Sequence, residues 1–96
     1  MMIIKRINNL ALEIQHNRSH YWLCIWKQFK NDSCGYIIAG FDYDEEYNSY
    51  ELNSVGDRLN DITLDWFDFG VIVKYGYDLL SKYSLEDIYN RCEVKE

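Results

Sequence analysis

The chain predicts an α+β fold, an N-terminal antiparallel β-meander of about three to four strands packed against C-terminal helices. Three observations carry that expectation. Apolar residues alternate with a period of two up to residue 41, they recur every three or four positions beyond residue 53, and no proline or Gly/Ser-rich linker interrupts the chain. Its 96 residues are expected to form one domain over 1–96, mainly β over 1–53 and mainly α over 54–96, because two separate cores would not fit. An apolar content of 48% and an aromatic content of 17% are enough to build a packed core despite the acidity.

Residues 3–7 either add an edge strand or lead into the sheet. Leu10, Leu12 and Ile14 alternate with Ala11, Glu13 and Gln15, the pattern of a half-buried strand. His16-Asn17-Arg18-Ser19-His20 reads as a turn. The strand from Tyr21 to Phe29 has Tyr21, Leu23 and Ile25 on one face and Trp22, Cys24 and Trp26 on the other, with both faces apolar enough to be covered. Lys30-Asn31-Asp32-Ser33 makes the next turn and Gly35–Phe41 the next strand. Turns this short between successive strands imply antiparallel neighbours.

From Val55 the stripe Val55, Leu59, Ile62, Trp66, Phe69, Val73, Tyr77, Leu80 has helical spacing, opened by the capping signal Ser54-Val55-Gly56-Asp57. Asn60-Asp61 is a point where it could divide, with Asp61 capping a second helix. Gly70 and Gly76 weaken it. Residues 66–75 also alternate with period two and are rich in β-branched and aromatic residues, the rival strand reading; the helical pattern spans more of the chain. Ser84-Leu85-Glu86-Asp87 caps a final helix, with Leu85, Ile88, Tyr89 and Cys92 on one face.

Charge is distributed unevenly. Nine of the sixteen acidic residues fall between positions 42 and 68, with Arg58 the sole base among them, so this stretch carries −8 of a chain total of −6. Residues 1–41 carry five bases against two acids. Clustered like charge opposes compaction and attracts cationic partners. The first half of the cluster, Asp42, Tyr43, Asp44, Glu45, Glu46, Tyr47, Tyr50 and Glu51, interleaves carboxylates with tyrosines between the sheet and the first helix. Carboxylates draw Lys and Arg from a distance, and tyrosine supplies contact area and cation–π attraction at short range. The plain alternative is a solvated acidic loop, or an edge strand kept from aggregating by its charge. The second half, Asp57, Asp61, Asp65 and Asp68, is spaced 4, 4 and 3. On one unbroken helix from 54 to 70 these four would share a face at about 6 Å intervals, near the spacing of phosphates along a nucleic-acid strand.

Other chemistry finds little purchase. Asp42-x-Asp44-x-Glu46 resembles the opening of a calcium loop, but Tyr47 and Asn53 stand where the turn glycine and the bidentate Glu belong. His16, His20 and Cys24 have metal-like spacing only on a helix. Cys24, Cys34 and Cys92 are odd in number, lack an activation motif and suggest reduced thiols. No phosphate-cradling glycine loop is present. The expectation is a non-enzymatic protein without metal or cofactor. The acidic surface argues against direct nucleic-acid binding. With no membrane-spanning run and no secretory signal, the expected compartment is the cytoplasm.

In overall composition the chain resembles the small acidic, Asn/Tyr/Asp/Ile-rich proteins of phages and mobile elements of low-GC bacteria, a likeness that rests on no motif. The leading expectation is an inhibitor in the manner of phage anti-defence proteins such as anti-CRISPRs, which would lay the acidic surface on the basic nucleic-acid-binding surface of a host effector. An immunity protein that neutralises a nuclease toxin uses the same physics. From other classes come a small structural or regulatory homodimer whose acidic face serves solubility, and a small enzyme using Tyr and carboxylates in a cleft.

Overall fold

The structure, a computed structural model, describes residues 2–28, 34–60 and 63–95. Five strands, β1 (Met2–Ile7), β2 (Leu10–Asn17), β3 (His20–Gln28), β4 (Gly35–Asp44) and β5 (Ser49–Ser54), form one antiparallel sheet in sequential order. Helices α1 (Trp66–Leu80) and α2 (Leu85–Lys95) follow, completing the expected α+β arrangement. The expected turn over 30–33 lies outside the described residues. The lead-in at 3–7 is a full edge strand. The sheet also has a fifth strand, β5, over residues expected to form a connector and the start of a helix.

Register explains where the core lies. Leu12 stands opposite Ile25, which stands opposite Ala39; Ile14 stands opposite Leu23, which stands opposite Phe41. Opposed residues in a sheet share a face, so these side chains make one apolar surface. Both helices cover it, lying against β1, β2 and β3, and α1 also reaches β5. Leu64, Phe69, Ile72 and Ile88 close the core from the helical side. Lys27, on the same face, is buried and donates to Thr63 Oγ1.

The long helix expected from 54 begins at Trp66 instead. Gly56 adopts φ +61°, Ser54 Oγ donates to Gly56 O, and a short 3-10 turn follows over Arg58–Asn60. The decisive signal is Asp65, an N-cap whose Oδ1 accepts from Phe67 N at 3.0 Å and Asp68 N at 3.1 Å. Those bonds satisfy amides that the first helical turn leaves unpaired. The buried residues of α1 are Asp68, Phe69, Ile72 and Gly76; of the expected stripe, Phe69 is buried and Val73 and Leu80 pack against the core, while Trp66 and Tyr77 are exposed. The strand alternative for 66–75 is excluded. Ser84 Oγ accepts from Asp87 N at 3.1 Å, capping α2 as expected, with Ile88 buried and Leu85 and Tyr89 half-buried.

The two glycines of α1 have opposite roles. A Cβ on Gly76 would stand 2.5 Å from Phe41 Cζ, so the missing side chain lets the helix settle onto the Phe41 ring. Tyr77 meets the same ring edge-on at 5.1 Å. Around Gly70 a Cβ would meet nothing within 4 Å. Gly70→Ala should therefore raise stability by about 0.5–1 kcal/mol through helix propensity. Gly76→Ala should lower it by about 1–3 kcal/mol through overpacking. Urea denaturation of the two variants measures both signs, and a gain in the second would show that α1 is not seated on Phe41.

Candidate functional site: the acidic hairpin and its cleft

The pairing of β3 with β4 ends at Leu23 and Phe41. Beyond that point β4 pairs with β5 alone, through Asp42 with Glu51, Tyr43 with Tyr50 and Asp44 with Ser49. Residues 42–51 are thus a two-stranded arm that leaves the sheet, not a connector. At its tip Asp44 Oδ1 accepts from Glu46 N at 2.9 Å and Tyr47 N at 3.4 Å, and Asn48 takes a left-handed conformation with φ 52° that asparagine tolerates. Asp44 therefore holds the turn together. Glu45, Glu46 and Tyr47 are exposed on it, Tyr47 by 73%.

Along the arm the two faces differ. On one, Asp42 and Glu51 face each other across the strands, a like-charge pairing that costs stability. Asn53 mediates it, its Nδ2 donating to Asp42 Oδ2 at 2.8 Å and to Glu51 Oε1 at 3.4 Å. On the other face Tyr43 and Tyr50 pack ring to ring at 5.2 Å, and the Tyr43 hydroxyl donates to Asn48 Oδ1. Burial, and secondarily the neighbouring Tyr43, push the Tyr50 phenol above its ordinary value.

Where β4 parts from β3 a cleft of about 420 Å³ opens, lined by His20, Tyr21, Trp22, Phe41, Asp42, Tyr43, Tyr50 and Leu85. Tyr21 is fixed there by parallel stacking on His16 at 4.4 Å and by Tyr89, 5.4 Å away. His20, Tyr21 and Trp22 were not among the residues expected at the site. The signal for them lay in the meander itself, since the β2–β3 and β4–β5 turns must emerge at the same end of the sheet.

Of the downstream acids, Asp57, Asp65 and Asp68 do not join this site. Asp57 is exposed in the turn ahead of Arg58, and Asp65 is committed to its cap. Asp68 is buried and accepts from Asn8 Nδ2 at 2.7 Å. Asp61 lies outside the described residues. The evenly spaced row of Asp57, Asp61, Asp65 and Asp68 on one helix is corrected accordingly, because α1 starts at Trp66.

The chain matches no family model, and no curated protein or solved structure matches it. Among the described residues no group of three His, Cys, Asp or Glu side chains is placed to hold a metal ion, and no helix is long and apolar enough to cross a membrane.

Cys24 is wholly buried at the centre of the sheet, on the face away from the helices. Burial pushes its thiol far above the ordinary value, and Glu13 beside it adds to the effect by its charge and by accepting the Sγ–H at 3.8 Å. The folded thiol keeps its proton where the unfolded one loses it, so stability is full below the ordinary thiol value and falls as pH rises above it. Between pH 9 and 10, above the thiol's ordinary 9.0 and below the phenol's ordinary 10.0, the loss should approach about 1.4 kcal/mol per pH unit. Denaturant titrations across that window measure the slope, and Cys24→Ala should flatten it even while lowering stability overall.

Proposed function

We propose that this protein is a non-enzymatic binder that presents its acidic hairpin arm to a basic protein surface, as an inhibitor of a nucleic-acid-binding effector would. One observation carries the reading: beyond Phe41 the arm pairs only with itself and sets Asp42, Glu45, Glu46 and Glu51 beside Tyr43, Tyr47 and Tyr50. A projecting two-stranded element enters a groove more readily than a flat sheet does. Its outer carboxylates steer basic groups inward, and Tyr47 offers a large, nearly free contact surface. Facing carboxylates bridged by an asparagine, with no base between them among the described residues, are costly in the free protein and relieved by a cationic partner. The cleft at the base of the arm adds aromatic walls with Asp42 at their edge, which suits the apolar stem and charged head of Lys or Arg.

This reading differs from phosphate mimicry by a helix. The charge that matters lies within one hairpin, so the target is a compact basic patch and not a long channel.

Charge reversal tests it. Glu45→Lys, Glu46→Lys and Glu51→Lys together spare Asp44, whose side chain builds the turn. The folded triple variant should lose salt-sensitive retention of the basic partner recovered from host lysate, identified by mass spectrometry after a salt gradient. Affinity of the parent should fall at least about tenfold between low and moderate salt, mostly through slower association. Undiminished binding by the triple variant would refute the assignment. Restoration of phage plating on defended cells would identify an anti-defence inhibitor, and rescue from one cognate toxin an immunity protein.

A further inference from the structure

The sheet face turned away from the helices carries a second cleft, of about 320 Å³, lined by Glu13, Gln15, Trp22, Trp26, Gly35, Tyr36, Ile37, Val55 and Arg58. Two indoles shape it. A Cβ on Gly40 would stand 2.5 Å from Trp22 Cζ2, and one on Gly35 would stand 2.4 Å from Trp26 Cζ2, so each ring is seated on a glycine of β4. Between them, opposite Cys24, sits Glu13 with no exposed surface. Its Oε1 accepts from Gln15 Nε2 at 2.5 Å and from Cys24 Sγ at 3.8 Å. Its Oε2 has no hydrogen-bond partner among the described residues. An ionised carboxylate is acceptor-only, and leaving one of its oxygens unsatisfied in a buried place is among the more expensive states a polar group can occupy.

We propose that this cleft is a binding site for a guanidinium group, with Glu13 Oε2 accepting its N–H and the Trp22 and Trp26 indoles beside its plane. Charge selects a cation, and the apolar, aromatic walls favour the planar, weakly hydrated guanidinium over the compact, strongly hydrated ammonium. The protein's own arginines show that the rings here take such a group: Arg6 lies over Trp26 at 5.8 Å, and Arg58 lies over Tyr36 at 5.2 Å. Arg58 is exposed at the rim and tied down by donation to Ile37 O at 2.6 Å. It leaves Glu13 as the carboxylate that compensates an incoming charge, which limits the cleft to one cation. Gln15, half-buried and held by the same carboxylate, moves aside as the ligand enters. The guanidinium belongs either to an arginine of a protein partner or to a free guanidino compound. The inference does not depend on the hairpin arm: Trp22 also lines the cleft at the arm's base, but Glu13 and Trp26 line this cleft alone.

Titration of the full chain with agmatine, and with capped Gly-Arg-Gly and Gly-Lys-Gly peptides, tests it by amide and indole N–H chemical shifts. Saturable shifts are expected at residues 13–15 and at the indoles of Trp22 and Trp26, with the lysine peptide weaker. Glu13→Gln, which removes the charge and keeps the shape, should weaken binding by about tenfold or more while unfolding no earlier on heating. Tighter binding of the arginine peptide than of agmatine assigns a protein side chain, and the reverse order a free compound. Absence of saturable shifts, shifts confined to residues 42–51, or unchanged affinity in a folded Glu13→Gln would each overturn the site. Should that variant fail to fold, the map on the unaltered protein decides alone.

Discussion

The register of β2, β3 and β4 is the constraint on which the molecule depends. It stacks Leu12, Ile25 and Ala39 beside Ile14, Leu23 and Phe41, and a slip by one residue would turn all of them to the opposite face. With the apolar surface fixed, α1 has one place to lie, and Gly76 lets it lie there against Phe41. The same register puts Glu13 and Cys24 opposite one another on the other face and delivers both strand turns to the end where the hairpin arm departs. Core, clefts and arm are consequences of one pairing pattern.

The fold was legible where local and tertiary preferences agree. The alternation through β2, β3 and β4 and the cap of α2 could be read directly from the residues. The stretch from 49 to 65 was not legible, for physical reasons. Tyr50 and Leu52 do alternate with Ser49, Glu51 and Asn53, but two apolar positions on an edge strand give a weak period, and the acids around them suggest a loop. Val55 and Leu59 fell by chance into helical phase with α1, although Gly56 breaks the chain between them at a positive φ. Asp65 and Asp68 looked like members of a charged face. Their real tasks, a helix cap and a bond to a β-turn sixty residues away, depend on tertiary position.

That outcome divides the acidity by purpose. Asp65, Asp68 and Asp44 each accept hydrogen bonds from specific donors, and their charge is used structurally at a helix start, a helix–turn contact and a tight turn. Glu45 and Glu46 stand exposed on the tip, and Asp42 and Glu51 crowd together on one face of the arm. Counting carboxylates along the chain cannot separate these groups; following their donors does. Glu13 is the opposite case, a lone acid amid apolar neighbours that draws no attention in a charge count and is the most buried acid among the described residues.

The departure of the arm from β3 after Phe41 has a consequence for how such a chain can change over generations. Residues 42–51 pair with each other and contribute little beyond Tyr50 to the packed interior, so the tip can exchange one side chain for another at small thermodynamic penalty. The core beneath imposes a strict volume and register, whereas the arm imposes mainly a turn geometry set by Asp44 and Asn48. Two regions of one short chain are thereby under separate physical constraints, and side chains on the arm can change while the scaffold stays still.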